Sequence, residues 1–548
     1  MFNARQTTLC VPLEVKPESC SRLSALIEVI KVREDKANPA QNFARITNSI
    51  PTLHFLSMSV FAGGDYDPIF ILEANFDGPP GVFWGQIETV LVKDLREIVR
   101  CCKRPRDGDG DLYDAVTDPT RSSSIASFFE KRTQRPSVFH HGNRGMTRDR
   151  IMREHELFVA VRQELDTADE QGFDRYRDMT AFEVHTLLRE RLLATRAWLD
   201  DEPVQRISTM ERLHDGLRLL LYAVLLIFIL SLPGFLLALL VSWPIYLTVI
   251  ALTSAALVFV VYLKRDPLPG TGIKTDFKIL TMLRQQAFLI LGYAFAATLL
   301  LLPIVIGGSY LLSTLGLRES ISVLDAVHIL MPAVLLGLLS LSVTLPILVL
   351  WLRFLELRDS SHDESHVNER ALREMVRRED WVAQNHMGSI VHLRPGVLRT
   401  IVVRVGHLGL GLLLRVIATH GYLGSMRTVH FAHWAFLNNG SRLLFLSNFD
   451  HSWDSYLDDF IEKAHAGLTL AWGCGVGFPP TRFLIYDGAS HGRRFKNWAL
   501  ASRAVSRFWY SAYPTLTVDQ IERNYRIADG LHRKSLNDTE VSTWIRDL

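Results

Sequence analysis

Charge is missing from three long stretches of this chain, and that absence sets its class. Residues 219–263, 287–317 and 326–352 contain no Asp, Glu, Lys or Arg. A soluble helix shows a polar face, and these runs show none. A bilayer core takes about 20 apolar residues per helix. The first run is long enough for two crossings, with Ser242-Trp243-Pro244 at the turn, where proline breaks the helix and tryptophan suits the membrane interface. The expectation is four transmembrane helices, near 219–241, 245–263, 287–310 and 327–352.

Other scarcities narrow the function. Among 548 residues there are five cysteines, Cys10, Cys20, Cys101, Cys102 and Cys474, and their spacing fits neither a zinc site nor a disulfide framework. The formal charge of +2 implies no polyanion-binding surface, and no basic-aromatic pattern argues for nucleic acid. There is no phosphate loop, no GxGxxG after a strand, no HExxH and no GxSxG. The expected crossings hold no charged residue, only His328 near one end, so an ion pathway is disfavoured. The start of the chain lacks the charged-then-apolar pattern of a signal peptide.

Orientation follows from the short loops. Lys264, Arg265, Lys274, Lys278 and Arg284 lie between the second and third crossings, whereas the opposite side offers only Arg318. Lys and Arg stay on the cytoplasmic side, so both termini are expected in the cytoplasm of a multi-pass inner-membrane protein.

On either side of the membrane block the pattern is α/β. Residues 8–15, 52–61 and 68–74 read as strands, with a turn at Gly63-Gly64-Asp65, and 17–31 and 82–102 read as helices. Residues 137–140 would close this unit as its last strand, giving the ferredoxin-like split βαβ order; 103–135 read as loop and connectors. After the membrane block, 389–393 reads as a strand. Residues 397–417 form a basic, apolar helix, suited either to the membrane surface or to the back of a sheet. A hairpin turns at Asn438-Asn439-Gly440, 452–468 is helical, and 481–486 is the expected closing strand.

The two soluble parts match each other. Thr52-Leu53-His54-Phe55 corresponds to Thr428-Val429-His430-Phe431, Asn75-Phe76-Asp77 to Asn448-Phe449-Asp450, and Thr147 to Thr517, in the same order at near-equal spacing. The expected fold is therefore α+β with transmembrane helices: two ferredoxin-like repeats forming a pseudo-dimeric α/β barrel, with a four-helix membrane block between them. The expected boundaries are 1–166 for the first repeat, 167–216 for a helical connector, 217–353 for the membrane block, 354–379 for a charged linker and 380–548 for the second repeat.

His430-Phe431-Ala432, Asn448-Phe449-Asp450, Trp453, Tyr456, Leu457, Asp458, Phe495-Lys496, Trp498 and 509–514 (WYSAYP), with Leu53-His54-Phe55 and Asn75-Phe76-Asp77-Gly78, carry a resemblance. The chain resembles a family of bacterial membrane proteins with HFAR and NFDG hallmarks in both halves. His433 stands where that family has arginine, and Leu56-Ser57 stands in the first half. More distantly, tandem ferredoxin-like units are similar in architecture to dye-decolorising peroxidases, whose resemblance implies haem.

These residues give the candidates. His54 and His430, inside strands, are either catalytic or haem-ligating groups, or hydrogen-bonded core histidines. Asn75, Asp77, Asn448 and Asp450 end strands before helices, and either cap those helices or bind a ligand. Asp450, Asp454, Asp458 and Asp459 group at helical spacing, as a cation site or a solvated face. Trp509 and Tyr510 are either core or a stacking surface for a ligand. The leading reading is an integral membrane protein whose cytoplasmic domain binds an apolar or amphipathic small molecule or a lipid, or serves as a partner module. The alternative is a haem-dependent, peroxidase-like oxidoreductase.

Overall fold

The computed structural model describes residues 5–38, 41–62, 66–121, 123–167, 175–201, 205–263, 287–316, 319–359, 367–379, 382–418, 426–482 and 486–548. The chain divides into two compact units, Leu213–Ser360 and the pair of segments Met1–Arg212 and Ser361–Leu548.

The first of these is helical. Thr209–Leu240, Trp243–Leu263, Ala287–Thr314, Val323–Leu339 and Leu341–Leu357 carry the apolar runs. Small side chains let the backbones approach: a Cβ on Gly234 would lie 2.1 Å from the Cβ of Ser340. Tyr246 Oη donates to the Leu336 carbonyl at 2.6 Å. The last two helices break at Ser340, so the expected fourth crossing is a kinked pair. Among the described residues five helices are long and apolar enough to cross a membrane, four of them where the charge-free runs place them; the fifth is Val397–Ile417. The loop cations 264–284 and Arg318, which carried the orientation argument, lie outside the described residues.

The other unit holds two antiparallel sheets. Strands β1 (Gln6–Glu14), β2 (Leu53–Phe61), β3 (Ile69–Asp77), β4 (Val138–His141), β5 (Gln384–His392), β6 (Val429–Leu437), β7 (Arg442–Asp450), β8 (Thr481–Arg482), β9 (Tyr486–Asp487), β10 (Arg503–Ala504) and β11 (Ser506–Ser511) follow in chain order. One sheet runs β1-β3-β2-β11 and the other β10-β5-β7-β6-β4, while β8 and β9 pair only with each other.

The closing strands correct the expectation. Strand β4 does not close the first sheet; it pairs with β6 of the second, Val138 opposite Trp434 and His141 opposite Phe431. The described residues of the expected closing strand, Thr481–Arg482 and Tyr486, pair within β8–β9 and do not close the second sheet, while 483–485 lie outside the described residues. That part is taken by β10, beside β5, and the chain passes through Val505 directly into β11, beside β2 of the first sheet. Just before β4, the Gln134 amide donates to the Cys10 carbonyl of β1 at 2.8 Å. Each sheet thus exchanges an edge strand with the other. The stretch 103–135 also contains two short helices, Gly110–Thr117 and Ile125–Lys131.

Both faces of each sheet are covered, which is why β2 and β3 are buried along their whole length. Outward residues such as Leu72, Ala74 and Phe76 pack on the helices Cys20–Glu34 and Pro80–Cys101. In the second sheet, Phe445 and Trp434 pack under Trp453–Trp472 and Gly492–Ser502. Val397–Ile417 buries Leu398, Val403, His407 and Leu414, with His407 ring nitrogens 3.1 Å from Ser137 Oγ and 3.2 Å from the Ala471 carbonyl. Between the sheets, Ile69, Ile71, Phe61, Leu444, Leu446 and Ile390 form an apolar cluster. Gly388 is required there: a Cβ would stand 2.7 Å from Phe61 Cζ.

Candidate functional site

The inward faces of the sheets carry three layers. Opposite the apolar cluster lies a layer of His, Asp and Gln that ties the strands to two later helices. His54 Nε2 stands 3.1 Å from Asp77 Oδ1, and Asp77 Oδ2 accepts the Arg148 amide at 2.8 Å. His430 Nε2 lies 2.8 Å from Asp450 Oδ1, and Asp450 Oδ2 accepts the Val518 amide at 2.8 Å. Arg148 and Val518 each open a helix whose N-cap threonine, Thr147 or Thr517, accepts from a backbone amide three residues on. Gln6 Nε2 donates to the Met146 carbonyl at 2.9 Å, and Gln384 Nε2 to the carbonyls of Tyr513 and Leu516. The rings cross over: His54 lies 5.4 Å from Phe431, and Phe55 lies 5.4 Å from His430.

One difference breaks this parallel. Tyr513 Oη is 2.8 Å from His54 Nδ1. Burial, with the charge of Asp77 added, holds the Tyr513 hydroxyl well above its ordinary pKa. The hydroxyl therefore keeps its proton, and His430 has no hydroxyl at the corresponding distance among the described contacts.

The middle layer is built around Glu73, whose side chain is 1% exposed. Glu73 Oε2 lies 2.8 Å from His386 Nε2 and accepts from Ser57 Oγ at 3.1 Å. Oε1 accepts from Asn75 at 3.2 Å and Asn448 at 3.5 Å, with His433 Nδ1 3.4 Å away. Burial alone would raise the Glu73 pKa; the facing imidazoles of His386 and His433 outweigh it and hold the carboxyl below the usual carboxylate range. An ionised Glu73 accepts a hydrogen bond from His386 Nε2; in the neutral ring Nδ1 is then an acceptor. Ser506 Oγ lies 2.6 Å from that nitrogen. The result is a carboxylate–imidazole–hydroxyl chain, Glu73–His386–Ser506.

This chain ends in a cavity of about 460 Å³. His386, Ser506 and Trp509 line it, with Phe43, Tyr510, Met375 and Val382 among its apolar walls and Lys31, Arg378 and Arg503 among its cations. Trp509 Nε1 donates to Asn448 Oδ1 at 2.9 Å, joining the wall to the buried layer. Tyr510 Oη is 3.1 Å from Thr47 Oγ1.

The candidates from sequence divide accordingly. Asn75, Asn448, Trp509 and Tyr510 lie in the Glu73 layer or on the cavity wall. Asp77 and Asp450 do not cap the helices that follow their strands; they accept from helices 71 and 68 residues further on. His54 and His430 are 0% and 1% exposed and do not line the cavity. Each faces an Asp and packs against a phenylalanine of the opposite sheet, so neither offers the open side that a haem iron needs. Asp454 and Asp458 flank Lys496, at 3.7 and 2.6 Å, and Asp459 pairs with Lys463. Among the described residues no three His, Cys, Asp or Glu side chains are placed to hold a metal. His140 is buried with neither ring nitrogen hydrogen-bonded, and burial lowers its pKa to about 3.

Glu73, His386 and Ser506 were not candidates from the sequence. One signal was present: Ser57 and His433, at matching positions after the two histidines, both face Glu73. No protein-family model matches the chain, and no curated protein matches it in sequence.

Proposed function

We propose that this chain is a multi-pass protein of a bacterial inner membrane whose soluble unit binds a small amphipathic molecule in the cavity at His386, Ser506 and Trp509. The observation that carries the reading is a cavity whose wall is wired to a fully buried carboxylate. Buried charge is costly unless it serves structure or chemistry, and here it fixes the ring that the cavity presents. Apolar walls with a few convergent polar groups describe a small-molecule site.

The architecture belongs to the same proposal. We read the soluble unit as two ferredoxin-like halves, related by duplication, that close into one barrel. Matching strand orders, β1-β3-β2 and β5-β7-β6, support it, as do the two exchanged edge strands. Both termini are assigned to the cytoplasm from the loop cations, and the resemblance to bacterial proteins with HFAR and NFDG hallmarks is kept as the family assignment. Phosphatase and fluorescent-protein fusions at both ends test the topology.

Native mass spectrometry of the detergent-purified chain tests the binding. Wild type should carry a small-molecule adduct. Val382 lines the cavity and is 46% exposed, so Val382→Trp fills the cavity without entering the core and should reduce occupancy at least tenfold. No adduct on wild type, or the same occupancy in Val382→Trp, contradicts the reading.

A further inference from the structure

We infer that Ser506 is a nucleophile for acyl transfer, with His386 as its general base and Glu73 holding the base, and that the cavity accepts a carboxylic ester. This deepens the binding reading and rests on it, because the ester must occupy that cavity.

The geometry meets the three requirements of such a site. The hydroxyl and the base are within hydrogen-bond reach, 2.6 Å. The base is oriented by a third group, Glu73, at 2.8 Å on its other nitrogen. The nucleophile reaches a space large enough for a small ester, since Ser506 lines the cavity whereas Glu73 does not. In the better-known arrangement the hydroxyl faces Nε2 and the carboxylate Nδ1; here the imidazole is turned end for end. Both nitrogens are sp² acceptors when unprotonated, so the proton transfer is chemically the same.

Backbone placement explains why Ser506 is presented. It lies where the chain leaves β10 and enters β11, next to a shift of register between Ser506 and Phe508. Such irregularities re-aim side chains beside active sites. Arg503 lines the same cavity; its side chain is 2% exposed, and its Nε has no hydrogen-bond partner. That guanidinium is already engaged, through Nη2 with Glu379, which lines the same cavity, and over the Trp453 ring.

The step balances without a co-reactant. The Ser506 hydroxyl proton passes to His386 Nδ1 as the Oγ–C bond forms. The C–O bond to the alcohol then breaks, and His386 returns the proton to the departing alkoxide. Water repeats the sequence on the acyl-serine, giving its proton to His386, releasing the acid and restoring Ser506.

The test uses the full detergent-purified chain, a fluorophosphonate probe and p-nitrophenyl butyrate. The probe should label Ser506, located by peptide mass, and Ser506→Ala should abolish labelling. Hydrolysis should fall about a thousandfold in Ser506→Ala and His386→Gln. Ser59 pairs with Ser506 in the sheet and its Oγ has no partner, so Ser59→Ala is the control and should label like wild type. Unfolding temperature and adduct occupancy, measured on every variant, separate lost chemistry from lost fold. Labelling at another serine overturns the assignment. An unlabelled wild type that still carries its adduct overturns the nucleophile and leaves binding standing, whereas an unlabelled wild type with no adduct removes both.

Discussion

The two sheets agree at one end of their shared interior and disagree in the middle. At the end, Asp77 and Asp450 each join a histidine to the first amide of a distant helix, and Gln6 and Gln384 each reach the backbone just before that helix. In the middle, Glu73 has Leu446 as its counterpart, Ser57 has His433, and Thr8 has His386. Residues that serve the same contact twice hold backbone, and a buried amide left without its acceptor is costly in either half. The middle layer keeps such a pair in Asn75 and Asn448, which both donate to Glu73, but the carboxylate itself has no counterpart. A single carboxylate there gathers side chains from both sheets, and two branches of it reach the cavity, through His386 to Ser506 and through Asn448 to Trp509.

The largest blow to this contrast is Glu73→Ala. It leaves His386 and His433 buried without their carboxylate and should cost about 3–5 kcal/mol, read as a lowered thermal unfolding midpoint. A near-neutral result would mean that the layer is not organised by Glu73. Next come Asp77→Ala and Asp450→Ala, each expected to cost about 1–3 kcal/mol, with similar losses on the two sides. Strongly unequal losses would break the parallel between the ends. Gly388→Ala forces a Cβ against Phe61 and should cost about 1–3 kcal/mol; adding Phe61→Leu should recover most of it. Ser57→Ala removes one of several donors to Glu73 and should cost about 1 kcal/mol.

Acid should expose the same division. The Glu73 pKa is depressed on folding, so its stabilisation is present above its ordinary value of 4.5 and is lost as pH falls below that. His140 is also depressed, so its contribution is complete above 6.5 and is lost as pH falls from 6.5 toward about 3. Stability measured against pH should flatten below 4.5 in Glu73→Gln, and between 6.5 and 3 in His140→Leu. Unchanged profiles would contradict both assignments.

How much of this was legible depends on distance along the chain. The apolar helices were readable because twenty charge-free residues are a local signal. The β6–β7 hairpin was readable from its turn and both hairpins from their paired hallmarks, while the expected turn Gly63-Gly64-Asp65 lies outside the described residues. Strand exchange was not, because β4 carries the same residues whichever β-edge it joins. Trp509 and Tyr510 read as core or a stacking surface and not as part of a strand, because alternation is hidden where both sheet faces are buried. The Glu73–His386–Ser506 chain crosses separations of 313 and 120 residues, so no local motif announces it. Asp77 and Asp450 were read as caps of the next helix, the nearest amides in sequence, when the fold brings them others.

The central claim is that an ionised Glu73 fixes His386 so that its Nδ1 accepts from Ser506. The nitrogen chemical shifts of His386, recorded at neutral pH on the full chain labelled at histidine, test this directly. The account predicts a neutral ring with its proton on Nε2 and an accepting Nδ1, and a signal at Nδ1 that changes in Ser506→Ala. A proton on Nδ1, or a ring protonated on both nitrogens, would contradict it.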